Sequence, residues 1–183
     1  MRAFMAVEVP SAIIGKILNV QKQLGMADAH VKFVEGENLH FTVKFFGDIT
    51  PEQAKQITQI TEHRLEDQHA FPMYVKGTGV FPNLERARVV WLGVENPERF
   101  SQLQETLDQD WIRMGFRKER DYIPHLTIGR IKGPRNRNNL IHKIKELENV
   151  EIGPLNVEKL ILKKSDLTPV GPMYTDMYEF PLG

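Results

Sequence analysis

The sequence predicts an α+β fold of two lobes related by a pseudo-twofold axis, each a mainly antiparallel sheet with helices on its outside, and a cleft between them. Three observations carry that expectation. Stretches of strand-like and helix-like periodicity come in the order strand–helix–strand–helix–strand, and the order occurs twice. The middle strand of each half carries the same pattern, His40-Phe41-Thr42-Val43 in the first and His125-Leu126-Thr127-Ile128 in the second. The copies lie 85 residues apart, too far for a solenoid repeat and suited to a duplicated lobe.

Residues 2–9 alternate as a strand. Residues 11–25 follow with Ile14, Ile17, Leu18 and Leu24 at helical spacing and Ser11 available as a cap. Residues 39–46 alternate strictly enough to present two distinct faces. Thr50-Pro51-Glu52-Gln53 spells a helix start: an N-cap threonine, a proline at the first helical position and a glutamine placed for a capping box. Ala54, Ile57, Ile60 and Leu65 form that helix's apolar stripe, and residues 73–80 read as a strand closing the first half. In the second half, residues 87–94 are a strand and Asn96-Pro97 opens a helix with Phe100, Leu103, Leu107, Trp111 and Met114 along one face. Residues 123–128 are the second motif strand, and Leu140, Ile141, Ile144 and Leu147 suit a helix. Residues 155–164 are a strand, and 174–180 return antiparallel to it after a turn at Pro169, Gly171 and Pro172. The reading is a single domain over 1–183, with half 1 about 1–84 and half 2 about 85–183. The final strands are free to cross into the first lobe, so a boundary near residue 84 need not be a physical one.

The chain of 183 residues has no cysteine, which excludes a disulfide framework, thiolate metal sites and a catalytic thiol. Lysine plus arginine and aspartate plus glutamate both total 24, so a sequence-blind grip on long duplex nucleic acid lacks the field it needs. Positive charge is local: Arg113, Arg117, Lys118 and Arg120 precede the second motif, and Arg130, Lys132, Arg135 and Arg137 follow it. Solvated faces are the commoner fate of such clusters, but their position on both sides of a motif favours an anionic ligand. The N-terminus is too short and too interrupted for a signal-peptide core, and no stretch approaches the roughly 20 apolar residues that span a bilayer. A cytoplasmic protein, a monomer and no membrane partner are the expectation. No glycine-rich phosphate loop is present, since Gly77-Thr78-Gly79 lacks the required pattern.

Residues i and i+2 of a strand share a face, so His40 points with Thr42, and His125 with Thr127, while the apolar residues between them face a core. Each strand then presents an imidazole and a hydroxyl from a platform with a buried back. In-line displacement at phosphorus needs a base on the nucleophile side and an acid on the leaving-group side. Histidine fills either role near neutral pH, and a threonine hydroxyl can donate to a non-bridging phosphate oxygen. One His-x-Thr alone would be read as an ordinary strand; two at matching positions in matching halves are not a coincidence. A metal site is disfavoured, with no His-Glu-x-x-His and no cysteine. Neither metal nor cofactor is expected. Read with unbroken alternation, Lys44 and Phe46 continue the His40 face, which puts Lys44 beside a second phosphate or in solvent, and Phe46 against a base or in a packed rim. Arg130 falls one register off the His125 face and reaches phosphate only through a strand end or bulge. Trp91 and Trp111 read as core, and Tyr122 as entrance or structural residue; His30, His63, His69 and His142 get no role.

At these residues the chain resembles the two-histidine (2H) phosphoesterase superfamily, in its prokaryotic RNA 2′,3′-cyclic phosphodiesterase branch, also called 2′-5′ RNA ligases. The resemblance rests on His40 through Gly47, on Pro124 through Arg130, on Arg2-Ala3-Phe4 with Val7, and on Ser165 through Tyr174. It implies a two-lobed fold with both histidines in a central cleft and hydrolysis of a terminal 2′,3′-cyclic phosphate to a 2′-phosphomonoester. By motif position it makes His40 the proton donor to the departing 3′ oxygen and His125 the acceptor that activates water, with Thr42 and Thr127 holding phosphate and Arg130 near it. The symmetric motifs alone do not assign acid and base. Partners implied are RNA ends bearing the cyclic phosphate, tRNA fragments or small cyclic nucleotides among them. Two other readings stay open: ligation of cyclic-phosphate and 5′-hydroxyl RNA ends, and a non-catalytic RNA- or nucleotide-binding module.

Overall fold

A computed structural model describes residues 1–183. The elements in chain order are β1 (Arg2–Glu8), α1 (Ser11–Gly25), β2 (Val31–Phe33), a single 3₁₀ turn (Gly36–Asn38), β3 (His40–Asp48), α2 (Pro51–Leu65) and β4 (Phe71–Phe81). The second half continues with β5 (Val89–Glu95), α3 (Glu98–Arg113), β6 (Leu126–Ile131), α4 (Arg137–Glu146), β7 (Glu151–Val157), β8 (Lys159–Thr168) and β9 (Gly171–Pro181). The α+β class holds. The local signals that predicted α2 are seen as contacts: Thr50 Oγ1 accepts from the Gln53 amide at 3.1 Å, and the Gln53 side chain accepts from the Thr50 amide at 2.9 Å. Ser11, by contrast, is the first helical residue and caps nothing; extended Pro10 stands at the cap.

All strand pairs are antiparallel, and the strands run in the order β7-β4-β5-β6-β3-β1-β8-β9, with β2 alongside β6. One lobe is therefore β7-β4-β5-β6 and the other β3-β1-β8-β9, and they meet at a single bridge, Phe41 opposite Leu126. The stretch 155–164, expected as one strand, is two: β7 pairs with β4 in one lobe, and β8 pairs with β1 in the other. The chain changes lobes at Glu158 between them. The alternation slips by one residue there, Leu155 and Val157 giving way across Glu158-Lys159 to Leu160 and Leu162, a shift that reading the stretch as one strand passed over.

The halves exchange more than strands. β4, from the first half, lies beside β5 of the second, and β8 lies beside β1. Helix α1 leaves β1 but packs on β6 and β7, whereas α3 leaves β5 but packs on β3. Each motif strand thus has behind it the helix that follows the other half's first strand. A single cluster of buried apolar side chains, including Phe41, Val43, Leu126 and Ile128 from the motif strands, runs through both lobes. Trp111 is fully buried in it, with its Nε1–H donating to Thr61 Oγ1 at 3.2 Å.

Candidate active site

The bridge between Phe41 and Leu126 determines how the motifs face each other. Counting outward along an antiparallel pair, His40 stands across from Thr127, and Thr42 across from His125. The pseudo-twofold axis passes through this bridge. Because the ladder is one bridge long, the two strands diverge on either side and leave a cleft of about 410 Å³ lined by His40, Thr42, His125 and Thr127 together.

Both imidazoles are held in the same way. His40 Nδ1 lies 2.7 Å from the carbonyl of Asn38, and His125 Nδ1 lies 2.6 Å from the carbonyl of Ile123. A carbonyl only accepts, so Nδ1 carries the proton in each ring, and in the neutral form Nε2 carries the lone pair. Thr42 Oγ1 sits 2.9 Å from His40 Nε2 and donates to it. Aromatic rings fix the planes: His40 packs against Phe4 (centroids 4.9 Å) and Tyr174 (5.4 Å), and His125 against Phe81 (4.9 Å) and Trp91 (6.1 Å). Sequence reading missed Phe4, Tyr174 and Phe81 as partners of the histidines and placed Trp91 in the core. Trp91 is half-buried beside His125, and it can lie there because Gly79 has no side chain: a Cβ on Gly79 would fall 2.2 Å from the indole. Tyr122 also lines the cleft, with its hydroxyl donating to the Thr42 carbonyl at 2.7 Å.

The residues after each motif depart from unbroken alternation, because each strand carries a β-bulge there. In β3, Thr42 pairs with Ala6 and Lys44 with Met5, so Val43 has no partner on β1. In β6, Thr127 pairs with Trp91 and Gly129 with Val90, so Ile128 has none on β5. An extra residue reverses the facing of the residues that follow it, in β3 up to a second irregularity at Phe46, which has no partner between Phe45 opposite Phe4 and Gly47 opposite Ala3. Lys44 is the first correction: although it borders the cleft, it is 2% exposed rather than in solvent, and its ammonium is taken up by Asp108 Oδ1 at 2.5 Å and the Arg117 carbonyl. Phe46 is the second: it is buried against Trp111 and Phe116 and does not line the cleft. The residue that takes its place on the cleft face is Phe45, 62% exposed, which unbroken alternation from Phe41 and Val43 would send toward the core. The matching bulge in β6 turns exposed Arg130 into the cleft. Of the two basic clusters only Arg130 and Lys132 line the cleft, joined by Lys32 from β2, which the sequence did not single out. Arg135 and Arg137 instead hold the backbone at Asp28 and at Ala87.

Burial pushes the His40 pKa down to about 4; the Asn38 carbonyl opposes this, and the charges of Lys163 and His125 add to it. Burial also lowers His125, the Ile123 carbonyl opposes, and the Arg130 charge pushes further down. Both rings are therefore neutral in the free protein at pH 7. The unfolded chain takes up a proton at His40 below pH ~6.5, while the folded chain does so only near the lower value. Stability from this residue is thus fully present above that range and is lost as pH falls through it, by about 3 kcal/mol in all. Urea unfolding at pH 7 and pH 4.5 should show wild type losing markedly more stability on acidification than His40→Phe; equal losses would contradict the buried-histidine account.

No three His, Asp or Glu side chains gather anywhere in an arrangement that could hold a metal ion, and no helix is long and apolar enough to cross a membrane. The cleft offers paired imidazoles, paired hydroxyls and one guanidinium, the equipment of a two-histidine phosphoesterase. Comparison with known proteins agrees. The sequence pattern described as LigT like Phosphoesterase matches residues 7–91 and again 92–174. An RNA 2′,3′-cyclic phosphodiesterase of Methanothermobacter thermautotrophicus is 52% identical over 99% of this chain and 98% of its own. One of Methanocaldococcus jannaschii is 37% identical over 98% of this chain and 100% of its own. Among solved structures, TT0787 of Thermus thermophilus superposes with a TM-score of 0.85 at 27% identity, covering 100% of this chain and 98% of that one. The chain belongs to the LigT-like phosphoesterase family.

Proposed function

We propose that this chain is an RNA 2′,3′-cyclic phosphodiesterase that hydrolyses a terminal cyclic phosphate to a 2′-phosphomonoester. The observation that carries the reading is the paired presentation of two imidazoles, each tied back through Nδ1 to the carbonyl two residues earlier, around one cleft. The relatives' shared name supports the same substrate.

The bound phosphate sits between Thr42 and Thr127, whose hydroxyls donate to its non-bridging oxygens, with Arg130 balancing its charge. Its negative charge favours the imidazolium form and so offsets the burial that keeps His40 neutral in the free protein. His125 Nε2 takes a proton from water as the water oxygen bonds to phosphorus. The bond from phosphorus to O3′ breaks on the opposite side, and His40 Nε2–H delivers its proton to O3′. The product has a 2′-phosphate and a free 3′-hydroxyl; His125 then loses a proton to solvent and His40 regains one. The assignment of donor and acceptor follows the resemblance, and the opposed walls of the cleft suit it.

The test is a short oligoribonucleotide ending in a 2′,3′-cyclic phosphate, incubated with EDTA present and read by ³¹P NMR. A 2′-phosphomonoester is the expected product. A 3′-phosphomonoester would reverse the leaving group, and an unchanged substrate would leave only a binding module.

A further inference from the structure

We infer that Gln21 and Gln104 are a matched pair of positioning residues that clamp the two bulges and so hold Arg130 and Phe45 on the cleft face. Neither glutamine touches the cleft. Gln21 comes from α1 and Gln104 from α3, and both are buried, at 7% and 3% exposure. Gln21 Nε2 donates to the carbonyl of Ile128 at 2.9 Å, and Gln104 Nε2 donates to the carbonyl of Val43 at 3.4 Å. Ile128 and Val43 are the residues that the bulge directly after each His-x-Thr leaves without a partner on the neighbouring strand. The glutamines are 83 residues apart and the bulged residues 85, so the contacts are copies of each other across the pseudo-twofold axis.

The physical need is plain. A bulge interrupts the ladder inside the core, and a buried carbonyl without a donor is costly. Neither Ile128 nor Val43 can look to water, since each is at most 1% exposed. At Val43 the amide of Gln104, reaching from the helix behind the strand, supplies a donor; at Ile128, where a backbone amide already donates, Gln21 adds a second donor and fixes the bulge to the helix. Gln21 does more, because Nε2 also donates to the Val34 carbonyl at 2.9 Å, and the Val34 amide in turn donates to the Ile128 carbonyl at 3.0 Å. That ties the segment after β2 to the β6 bulge. Loss of the bulge would slip β6 by one residue and turn Arg130 from the cleft toward the helices. The helices crossing between lobes is what makes this possible: each half's first helix supports the other half's motif strand.

This deepens the phosphodiesterase reading and rests on it for the kinetic arm, so a second readout free of substrate accompanies it. Gln21→Met keeps the volume and removes both donors. Burial is the main cause of the depression of His125 and the Arg130 charge adds to it, so displacing Arg130 should raise that ring's pKa in part. In a ¹H NMR titration of the full chain, Gln21→Met should raise the His125 pKa in the same direction as Arg130→Met. The double variant should match Arg130→Met alone, and Gln104→Met should leave His125 as in wild type. With the cyclic-phosphate oligonucleotide, Gln21→Met should lower kcat on the order of 10- to 100-fold, as a displaced contact does. Should Gln21→Met not fold, Gln21→Asn, which keeps the amide but shortens the reach, should give a smaller shift of the same sign. An unshifted His125 in the folded Gln21 variant, or an equal shift in Gln104→Met, would overturn the inference whether or not the chain hydrolyses RNA.

Discussion

Alanine at His40 or at His125 should each lower the single-turnover rate of cyclic-phosphate hydrolysis by roughly 10²–10⁴-fold. The double variant should be scarcely slower than the worse single one, because acid and base act in one transition state and losing either removes the benefit of the other. The structural ground is the symmetric tether: each ring has its Nδ1 occupied by a backbone carbonyl, which leaves Nε2 as the working nitrogen on both walls. The rate constants at saturating oligonucleotide, together with the Kd of a non-hydrolysable 2′-phosphate nucleotide, separate lost chemistry from lost binding. Wild-type rates in either single variant would remove that histidine from the reaction. Simple multiplication of the two losses in the double variant would mean that the rings serve different steps.

Lys44→Met should destabilise the fold by about 3–5 kcal/mol while leaving the KM of the folded protein near that of wild type. The cause is Asp108, 3% exposed, whose carboxylate has the Lys44 ammonium on Oδ1 at 2.5 Å and the Glu119 amide on Oδ2 at 2.9 Å. Removing the cation leaves a buried charge with one backbone donor. Pairing the change with Asp108→Leu should recover part of the loss, since the uncompensated charge goes too. Equilibrium urea unfolding measures both. A small stability cost accompanied by a large rise in KM would restore the alternative, in which Lys44 holds a phosphate.

The contrast between those residues shows what was legible in the sequence. The two His-x-Thr strands, the four helices and the duplicated order could be read because each depends on local periodicity and on pairs two residues apart. The bulges could not, since a bulge is a relation between a strand and its neighbour. Carried past Val43, a period of two sends Lys44 and Phe46 the wrong way and hides Phe45. Arg130 was left undecided for the same reason, and only the pairing of Gly129 with Val90 resolves it. Asn38 and Ile123 act through their carbonyls, which no side-chain pattern announces. The partners of the bulges, Gln21 and Gln104, lie 107 and 61 residues away from the carbonyls they serve.

The central claim is that both imidazoles address one phosphate, and a titration of the Cε1–H signals of His40 and His125 with a 2′-phosphate mononucleotide tests it most directly. Both signals should move along one binding curve, and both pKa values should rise in the complex, since a single dianion stabilises both imidazolium forms. Movement of one ring while the other keeps its free-state titration would place the phosphate on one wall only and contradict the account.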